Sequence, residues 1–139
     1  MIVNTAYIYM GSDGGPANPV IFQQNEINYN YSGTNVTVTT DGYIRLPGKS
    51  EIVFTDLNLS NFVKVVVTAS NSANSNTSLI VNFIDSSGNV SANIAKRIDE
   101  HSTKSNTYTI PAEYKNPKTK IKMSIAGVNG LTLRSAILS

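Results

Sequence analysis

Cysteine and tryptophan are absent from this chain of 139 residues, and histidine occurs once. The absence of thiols excludes a disulfide framework and a thiolate-bound metal centre. Charged residues form 14% of the chain, whereas an ordinary soluble domain carries about 25%. The formal net charge is only +2, so the sequence lacks the concentrated basic charge that is typical of nucleic-acid-binding domains.

Long apolar runs are also lacking. The longest, at residues 62–69, is too short to cross a bilayer and contains Lys64. Residues 1–5 lack the basic and apolar regions of a signal peptide, so we expect synthesis in a cytoplasm and no membrane insertion. The densest group of lysines, at residues 115–122, is best explained as a solvated strand face, and we expect no nucleic-acid partner.

Short polar side chains are abundant, because Asn, Ser and Thr together form roughly a third of the chain. Apolar residues, at 40%, suffice for one core in a chain of this length. They recur with a period of two, which is typical of strands that bury one face. The clearest sets are Ile52/Phe54, Leu79/Val81/Phe83, Ile121/Met123/Ile125 and Leu131/Leu133/Ile137. Turn signals such as Asp41-Gly42 and Asn129-Gly130 separate these runs, so the pattern predicts an antiparallel β-sandwich.

Three segments between these runs need separate interpretation. Residues 62–69 are nearly continuous in apolar and β-branched side chains, which favours a central strand covered on both faces. Residues 70–76 are small and polar, and we expect a mobile loop tip there. A short helix at 94–101 is less favoured than a strand over 90–98 followed by a loop over 99–106.

The first 33 residues differ from the rest, and we predict an N-terminal arm, for attachment or oligomerisation, ahead of a sandwich over residues 34–139. The glycine-rich stretch at 11–15 is followed by Pro16, which indicates a flexible turn and not a phosphate-binding loop. Tyr29 and Tyr31 alternate with asparagines, so their rings should share a face. That face could cover the sandwich, a ligand or a neighbouring subunit. We favour the subunit and take both tyrosines as assembly candidates.

No residue set indicates catalysis. The single histidine, His101, lies in a polar segment without a nucleophile-elbow pattern nearby, and we expect an exposed loop residue. Asp99-Glu100 is the only adjacent acidic pair, and nothing places two carboxylates across a cleft. With no cysteine, one histidine and no acidic calcium loop, we predict no catalytic residues, no metal ligands and no cofactor, while a structural calcium stays open. The chain is predicted not to be an enzyme.

Glycan recognition remains a possible role for the aromatic residues. Sugars bind on aromatic faces, with amide, carboxylate and guanidinium groups meeting their hydroxyls. Tyrosine must serve where tryptophan is absent, and the glycan-binding candidates are Tyr43, Tyr108, Tyr114 and Arg97. The alternative for Tyr43 and Tyr108 is packing at strand ends with their hydroxyls in water.

The order of strands and turns from residue 34 onward carries a resemblance. It begins with DGYIRLPGKSEIVF at 41–54, continues through the apolar strand at 62–69, and includes Asp85-Ser86-Ser87-Gly88 and Tyr108-Thr109-Ile110-Pro111. This rhythm resembles jelly-roll modules of the galactose-binding-like, carbohydrate-binding-module type. The resemblance implies an all-β fold, an antiparallel jelly-roll sandwich of about eight strands.

The composition carries a second resemblance. Small cysteine-free β-proteins rich in Asn, Ser and Thr resemble accessory proteins of bacteriophages and prophages, from tails, baseplates and head fibres. This implies a non-enzymatic structural or adhesion component of a particle, located in the virion after synthesis in the host cytoplasm. Its partners would be copies of itself, other virion proteins and cell-surface polysaccharide. The alternative is a stand-alone, lectin-like carbohydrate-binding module.

Overall fold

A computed structural model describes residues 18–139 of the chain. Within these residues, twelve strands form two antiparallel sheets that enclose one apolar core, which confirms the predicted all-β jelly-roll sandwich. The strands are more numerous and several are shorter than the sequence predicted. The described residues include one short 3-10 helix, at Ala112–Tyr114, and none of their helices is long and apolar enough to cross a bilayer.

Sheet A contains seven strands. They are β1 (Val20–Gln23), β2 (Glu26–Ile27), β4 (Thr37–Val38), β5 (Ile44–Leu46), β7 (Lys64–Asn71), β10 (Ser102–Thr109) and β12 (Leu131–Leu138). Their main order is β10-β7-β12-β1-β2, and β5 pairs with the first residues of β12 while β4 pairs with β5. Strand β12 therefore lies in the middle of the sheet.

Sheet B contains five strands, in the order β3-β6-β11-β8-β9. They are β3 (Tyr31–Gly33), β6 (Glu51–Leu57), β8 (Thr77–Ile84), β9 (Ile94–Ile98) and β11 (Thr119–Ser124). A tight turn joins Ile84 to Val90: Asp85 accepts backbone hydrogen bonds from Ser87 and Asn89, and the two flanking residues form a bridge.

The core lies between the two sheets and is built from alternate residues of each strand. Leu79, Val81 and Phe83 are fully buried, as their period-two spacing predicts. Across the core, the rings of Phe22 from sheet A and Phe54 from sheet B stack with centroids 5.5 Å apart. Burial of such rings supplies most of the driving force that holds the two sheets together.

The predicted boundary at residue 33 needs correction over the part of the arm that the structure describes. Residues 20–33 supply β1 and β2 to sheet A and β3 to sheet B, and Ile21 and Phe22 are buried in the core. These residues belong to the sandwich because their apolar side chains complete it. Residues 1–17 of the predicted arm lie outside the described residues.

Two strands differ from their sequence predictions. Strand β7 is buried on its inner side only, since residues 66, 68 and 70 alternate with buried neighbours and are partly exposed. The predicted loop over 99–106 is mostly strand β10, which pairs with β7 along its whole length. Strand β10 is an edge strand with hydroxyl and lysine side chains, so its alternation is not visible as an apolar pattern.

Candidate functional site

One end of the sandwich gathers loops from both sheets. These are the β7–β8 loop (72–76), the β9–β10 turn (99–101) and the β11–β12 loop (125–130), which together are called the loop end. His101 Nε2 lies 2.6 Å from Asn74 Oδ1, and Asn129 Nδ2 donates to Ser75 Oγ over 2.7 Å. Three segments that are distant in sequence are thus held together by asparagine side chains.

Asn71 anchors the first of these loops from inside the protein. Its side chain is buried, and Nδ2 donates to the carbonyl oxygens of Ser75 and Ile98 at 2.9 and 3.0 Å. Its Oδ1 accepts from the backbone N–H of Ala73. A buried amide with all these groups paired fixes the loop that the sequence predicted to be mobile.

The β11–β12 loop is fixed by close backbone approaches. Lys49 N–H donates to Gly127 O at 2.9 Å, and the neighbouring Gly48 packs against Val128 so closely that a Cβ would overlap its carbonyl group. Only glycine fits this approach without displacing the loop. These contacts with residues 48 and 49 therefore hold the β11–β12 loop in place.

A groove opens at the loop end beside the outer face of sheet B, with a volume of about 340 Å³. The lining combines amide and hydroxyl groups with apolar side chains: Ser75, Asn76, Thr77, Ser78, Ile80, Ala95, Ala126, Gly127, Val128 and Asn129. Among residues 18–139, none that is charged or aromatic belongs to this lining. Amides and hydroxyls both donate and accept hydrogen bonds, so the groove suits a neutral polyhydroxylated ligand.

Arg97, one of the predicted glycan contacts, borders this groove. It pairs with Ser78 across strands β9 and β8, which puts both side chains on the same face of the sheet. The Arg97 guanidinium contacts Asp99 at 2.9 Å, and both side chains are more than half exposed. An ion pair in water is worth little, so the guanidinium can exchange this partner for a ligand oxygen.

Tyr43 lies on the outer face of sheet A, next to β5, and is separate from the groove lining. Arg134 stacks on its ring at 4.2 Å from the centroid and donates to its hydroxyl at 2.9 Å. One ring face is thus occupied by a cation from the same chain. A ligand can stack on that ring face only by displacing Arg134.

Tyr108 is fully buried, and its hydroxyl donates to Leu79 O across the core at 3.1 Å. Burial raises its pKa well above the usual 10.0. It has no ring face for a sugar, so its place among the glycan candidates is corrected. Tyr114 lies in the 3-10 helix and is half buried against the core, apart from the groove.

The two assembly candidates both contact the body of the same chain. Tyr29 packs partly buried against the core and donates its hydroxyl to Asn18 O at 2.7 Å, and burial raises its pKa to about 12. Tyr31, on edge strand β3, is 39% exposed and its ring lies 5.9 Å from that of Phe54. Tyr31 retains the larger free surface for a neighbouring subunit.

The titratable groups of the described residues form no reactive set. His101 is exposed in the β9–β10 turn with an amide partner, as its sequence context predicted. Residues 18–139 contain no group of three His, Asp or Glu side chains placed to hold a metal ion. The side chain and backbone of Asn89 hydrogen-bond to Asp85 and lower the pKa of its carboxyl. This carboxylate therefore stabilises the turn between Ile84 and Val90.

Sequence reasoning missed the groove itself. Its lining comes from four separate segments of the chain, and no spacing motif connects them. The available signal was the Asn- and Ser-rich tract at 70–76, which resembles many solvated loops. Only the register of β8, β9 and β11 shows that this tract lies beside residues 126–129.

No family model and no curated protein sequence matches the chain. Solved structures do match. The carbohydrate-binding module CBM36, solved with calcium and xylotriose, aligns with a TM-score of 0.60 and 12% identity, over 81% of this chain and 94% of that chain. A family 6 carbohydrate-binding module aligns with a TM-score of 0.56 and 13% identity, over 80% of this chain and 87% of that one.

Larger enzymes also contain a similar sandwich. The exo-β-1,3-galactanase from Phanerochaete chrysosporium aligns with a TM-score of 0.58 and 10% identity over 81% of this chain. This chain spans only 27% of that enzyme. At such identities the likeness establishes the fold: a jelly-roll sandwich of the kind found in carbohydrate-binding modules.

Proposed function

We propose that this chain is a non-catalytic carbohydrate-binding module and that the groove at the loop end binds a neutral glycan. The observation that carries the proposal is the lining of the groove, which offers hydroxyl and amide groups beside apolar side chains. The fold supports it, since whole carbohydrate-binding modules align along most of this chain. Fold alone does not assign function, so the groove chemistry is the deciding part.

The dimensions and rigidity of the groove fit this role. Its volume of about 340 Å³ falls within the usual range for small-ligand sites. The anchors at Asn71, Asn129 and Lys49 fix the lining in advance, so binding costs less ordering of loops. Arg97 at the border would add a charged donor for a ring or hydroxyl oxygen, since it pairs with Ser78 of the lining.

The test is an array of neutral xylo-, gluco- and galacto-oligosaccharides, followed by calorimetric titration of the tightest binder. Ala95→Tyr places a bulky ring in the groove from an exposed strand position and should weaken binding at least about tenfold, the effect of 1.4 kcal/mol. Asn129→Ala removes a lining amide and should act in the same direction.

Ala112→Tyr is the matched control, because it introduces the same ring at an exposed position in the 3-10 helix, away from the groove. Its affinity should equal that of the unmodified protein. No binding to any neutral glycan, or equal binding by Ala95→Tyr, would show that the groove is not a glycan site.

Attachment to a virion, contact with other virion proteins and homo-oligomerisation remain proposals that concern context. They are compatible with glycan binding, since an adhesion component of a particle also needs a sugar site. Tyr31 is the better placed of the two assembly candidates, because it is exposed on an edge strand. The molar mass in solution tests the proposal of homo-oligomerisation.

A further inference from the structure

The outer face of sheet A carries a row of polar side chains that the glycan groove does not use. Cross-strand pairing joins them one to the next, across five neighbouring strands: Thr37, Arg45, Thr132, Ser70 and Thr103. This set is called the arginine–hydroxyl row. Ser70 and Thr103 share a hydrogen bond of 2.7 Å, and Arg45 Nη1 donates to Thr132 Oγ1 at 3.4 Å.

The Arg45 side chain in this row has fewer hydrogen-bond partners than its guanidinium group has N–H donors. A guanidinium carries five N–H donors and stays charged at all ordinary pH values. Within residues 18–139 its side chain makes the one long hydrogen bond to Thr132 and no ion pair. Its side chain is only partly exposed, so water does not fully replace the missing partners.

A second arginine lies on the same face, one row away. Strand β12 bulges between Leu133 and Ser135, which brings Arg134 to the outer side, beside Ser135 and its partner Thr68 on strand β7. Arg134 is held by the ring and hydroxyl of Tyr43, both neutral groups, and it too makes no ion pair in the described part of the chain. The face thus presents two cations among hydroxyl groups, and neither forms an ion pair within residues 18–139.

We propose that this face is a second binding site, for an acidic polysaccharide that runs across the strands along the arginine–hydroxyl row. Arginine matches carboxylate and sulfate groups with paired hydrogen bonds. Adjacent strands lie about 4.8 Å apart, close to the length of one pyranose ring in a linear chain. Each strand therefore offers one hydroxyl or guanidinium group to each successive sugar.

A nucleic acid fits this face less well. Such ligands carry a charge on every phosphate and bind through many cations, whereas this face has two arginines among uncharged Ser and Thr. A sugar chain with an acidic group on some residues and hydroxyls on all of them matches that mixture. The site is separate from the groove in sheet B, so its test does not depend on whether the groove binds a glycan.

The experiment titrates the protein calorimetrically with polygalacturonate, dextran sulfate, unmodified dextran and a thymidine oligonucleotide. We expect polygalacturonate, dextran sulfate or both to bind more tightly than dextran, and we expect the groove variant Ala95→Tyr not to weaken that binding. Arg45→Gln/Arg134→Gln should weaken that binding at least about tenfold, since a hydrogen bond to a charged group is worth that much or more. The carboxylate and sulfate polymers separate the two possible acidic groups.

Lys118→Gln/Lys120→Gln is the matched control, because it removes the same charge from exposed residues in and beside strand β11 of sheet B. Its binding should be unchanged. The proposal is overturned if neither acidic polysaccharide binds, if the lysine control loses as much affinity, or if the oligonucleotide binds more tightly than both.

A second pair of variants tests the direction of the ligand and avoids the partly buried arginines. Thr103→Val removes a hydroxyl from the exposed end of the row, whereas Thr109→Val makes the same change at the far end of strand β10. Weaker binding by Thr103→Val alone supports a chain that crosses the strands. Equal affinity for both variants and the unmodified protein would overturn this arrangement, while melting temperatures confirm that each variant is folded.

Discussion

At the scale of the residue, the hydroxyl groups of Tyr29 and Tyr108 have the same structural role. Each donates to a backbone carbonyl oxygen, from a ring that is largely removed from water. Their rings bury apolar area while the hydroxyl keeps a hydrogen-bond partner away from water. These tyrosines therefore contribute to stability and are not available for sugar stacking.

Replacing Tyr108 by phenylalanine should lower the free energy of unfolding by about 1–3 kcal/mol, because Leu79 O loses its buried donor. Tyr31→Phe is the control, since Tyr31 is exposed and its hydroxyl has no hydrogen bond within residues 18–139. Urea unfolding followed by circular dichroism measures both. Similar stability of the two variants would contradict the structural role given to the Tyr108 hydroxyl.

The raised pKa of Tyr29 predicts a loss of stability in alkali. In the unfolded chain this phenol titrates near 10.0, and in the folded protein near 12, chiefly because burial disfavours the phenolate. The unfolded state then releases the proton first, so stability is complete below pH 10 and falls as pH rises toward 12. Unfolding free energies measured across this window should fall less steeply in Tyr29→Phe, and an unchanged slope would contradict the assignment.

The sequence alone does not show which tyrosines are buried and which are exposed. Tyr108 follows Thr107 and precedes Thr109 in a polar strand, so its neighbours give no sign that it points into the core. Tyr43 depends on Arg134, a residue 91 positions away in the chain. Strand register determines whether such a residue is buried and what it contacts, and the register cannot be obtained from composition.

At the scale of the element, the β7–β8 loop differs from an ordinary polar loop because one side chain supports it from beneath. Asn71 is the last residue of strand β7, and its amide closes the loop onto both Ser75 and the end of β9. A short segment of Ser, Asn and Ala can thus be ordered without apolar contacts of its own. The Asn71 amide therefore also fixes the shape of the groove that this loop lines.

Asn71→Ala should cost about 1–3 kcal/mol of stability and release the loop, since it leaves several buried partners unpaired. Hydrogen exchange of residues 72–76 should accelerate far more than exchange of strand β11. The exposed Asn74→Ala serves as the comparison and should change exchange only beside His101. Unchanged protection in Asn71→Ala would mean that the anchor is not required.

The strongly alternating strands were predictable, and the polar ones were not. Strands β6, β8 and β11 carry buried residues at the predicted period of two. In β12 the prediction holds for Leu131 and Leu133 only, because the bulge after Leu133 buries Ala136 and leaves Ile137 partly exposed. Strand β10 was predicted as a loop because an edge strand needs few apolar residues. Strands β1 to β3 are short and separated by turns, so they lack the length that makes a pattern visible.

At the scale of the whole molecule, residues 20–33 join the two sheets at the side of the core where Phe22 and Phe54 stack. Deletion of residues 1–33 should therefore destabilise the sandwich strongly, since loss of one buried phenylalanine side chain alone costs about 3–5 kcal/mol. Deletion of residues 1–17 is the comparison, because it keeps every described strand. Thermal unfolding measures both. A fully stable product of the longer deletion would instead favour a separate arm over residues 1–33.

The assembly proposal has its own measurement. Light scattering on a sizing column gives the molar mass, to be compared with 15.0 kDa for one chain. A virion component should form a trimer or larger assembly that Tyr31→Ala weakens, because Tyr31 offers an exposed ring at a sheet edge. A single chain in solution would instead favour the stand-alone carbohydrate-binding module.

The central position of β12 sets the order in which the molecule can be completed. Strand β12 separates β7 and β10 on one side from β1, β2, β4 and β5 on the other, so these two groups meet only through it. During translation, residues 131–138 leave the ribosome after all other described strands. Sheet A therefore stays divided until synthesis has passed residue 138, and a ribosome stalled earlier holds a chain whose core-facing side chains are open to chaperones or to aggregation.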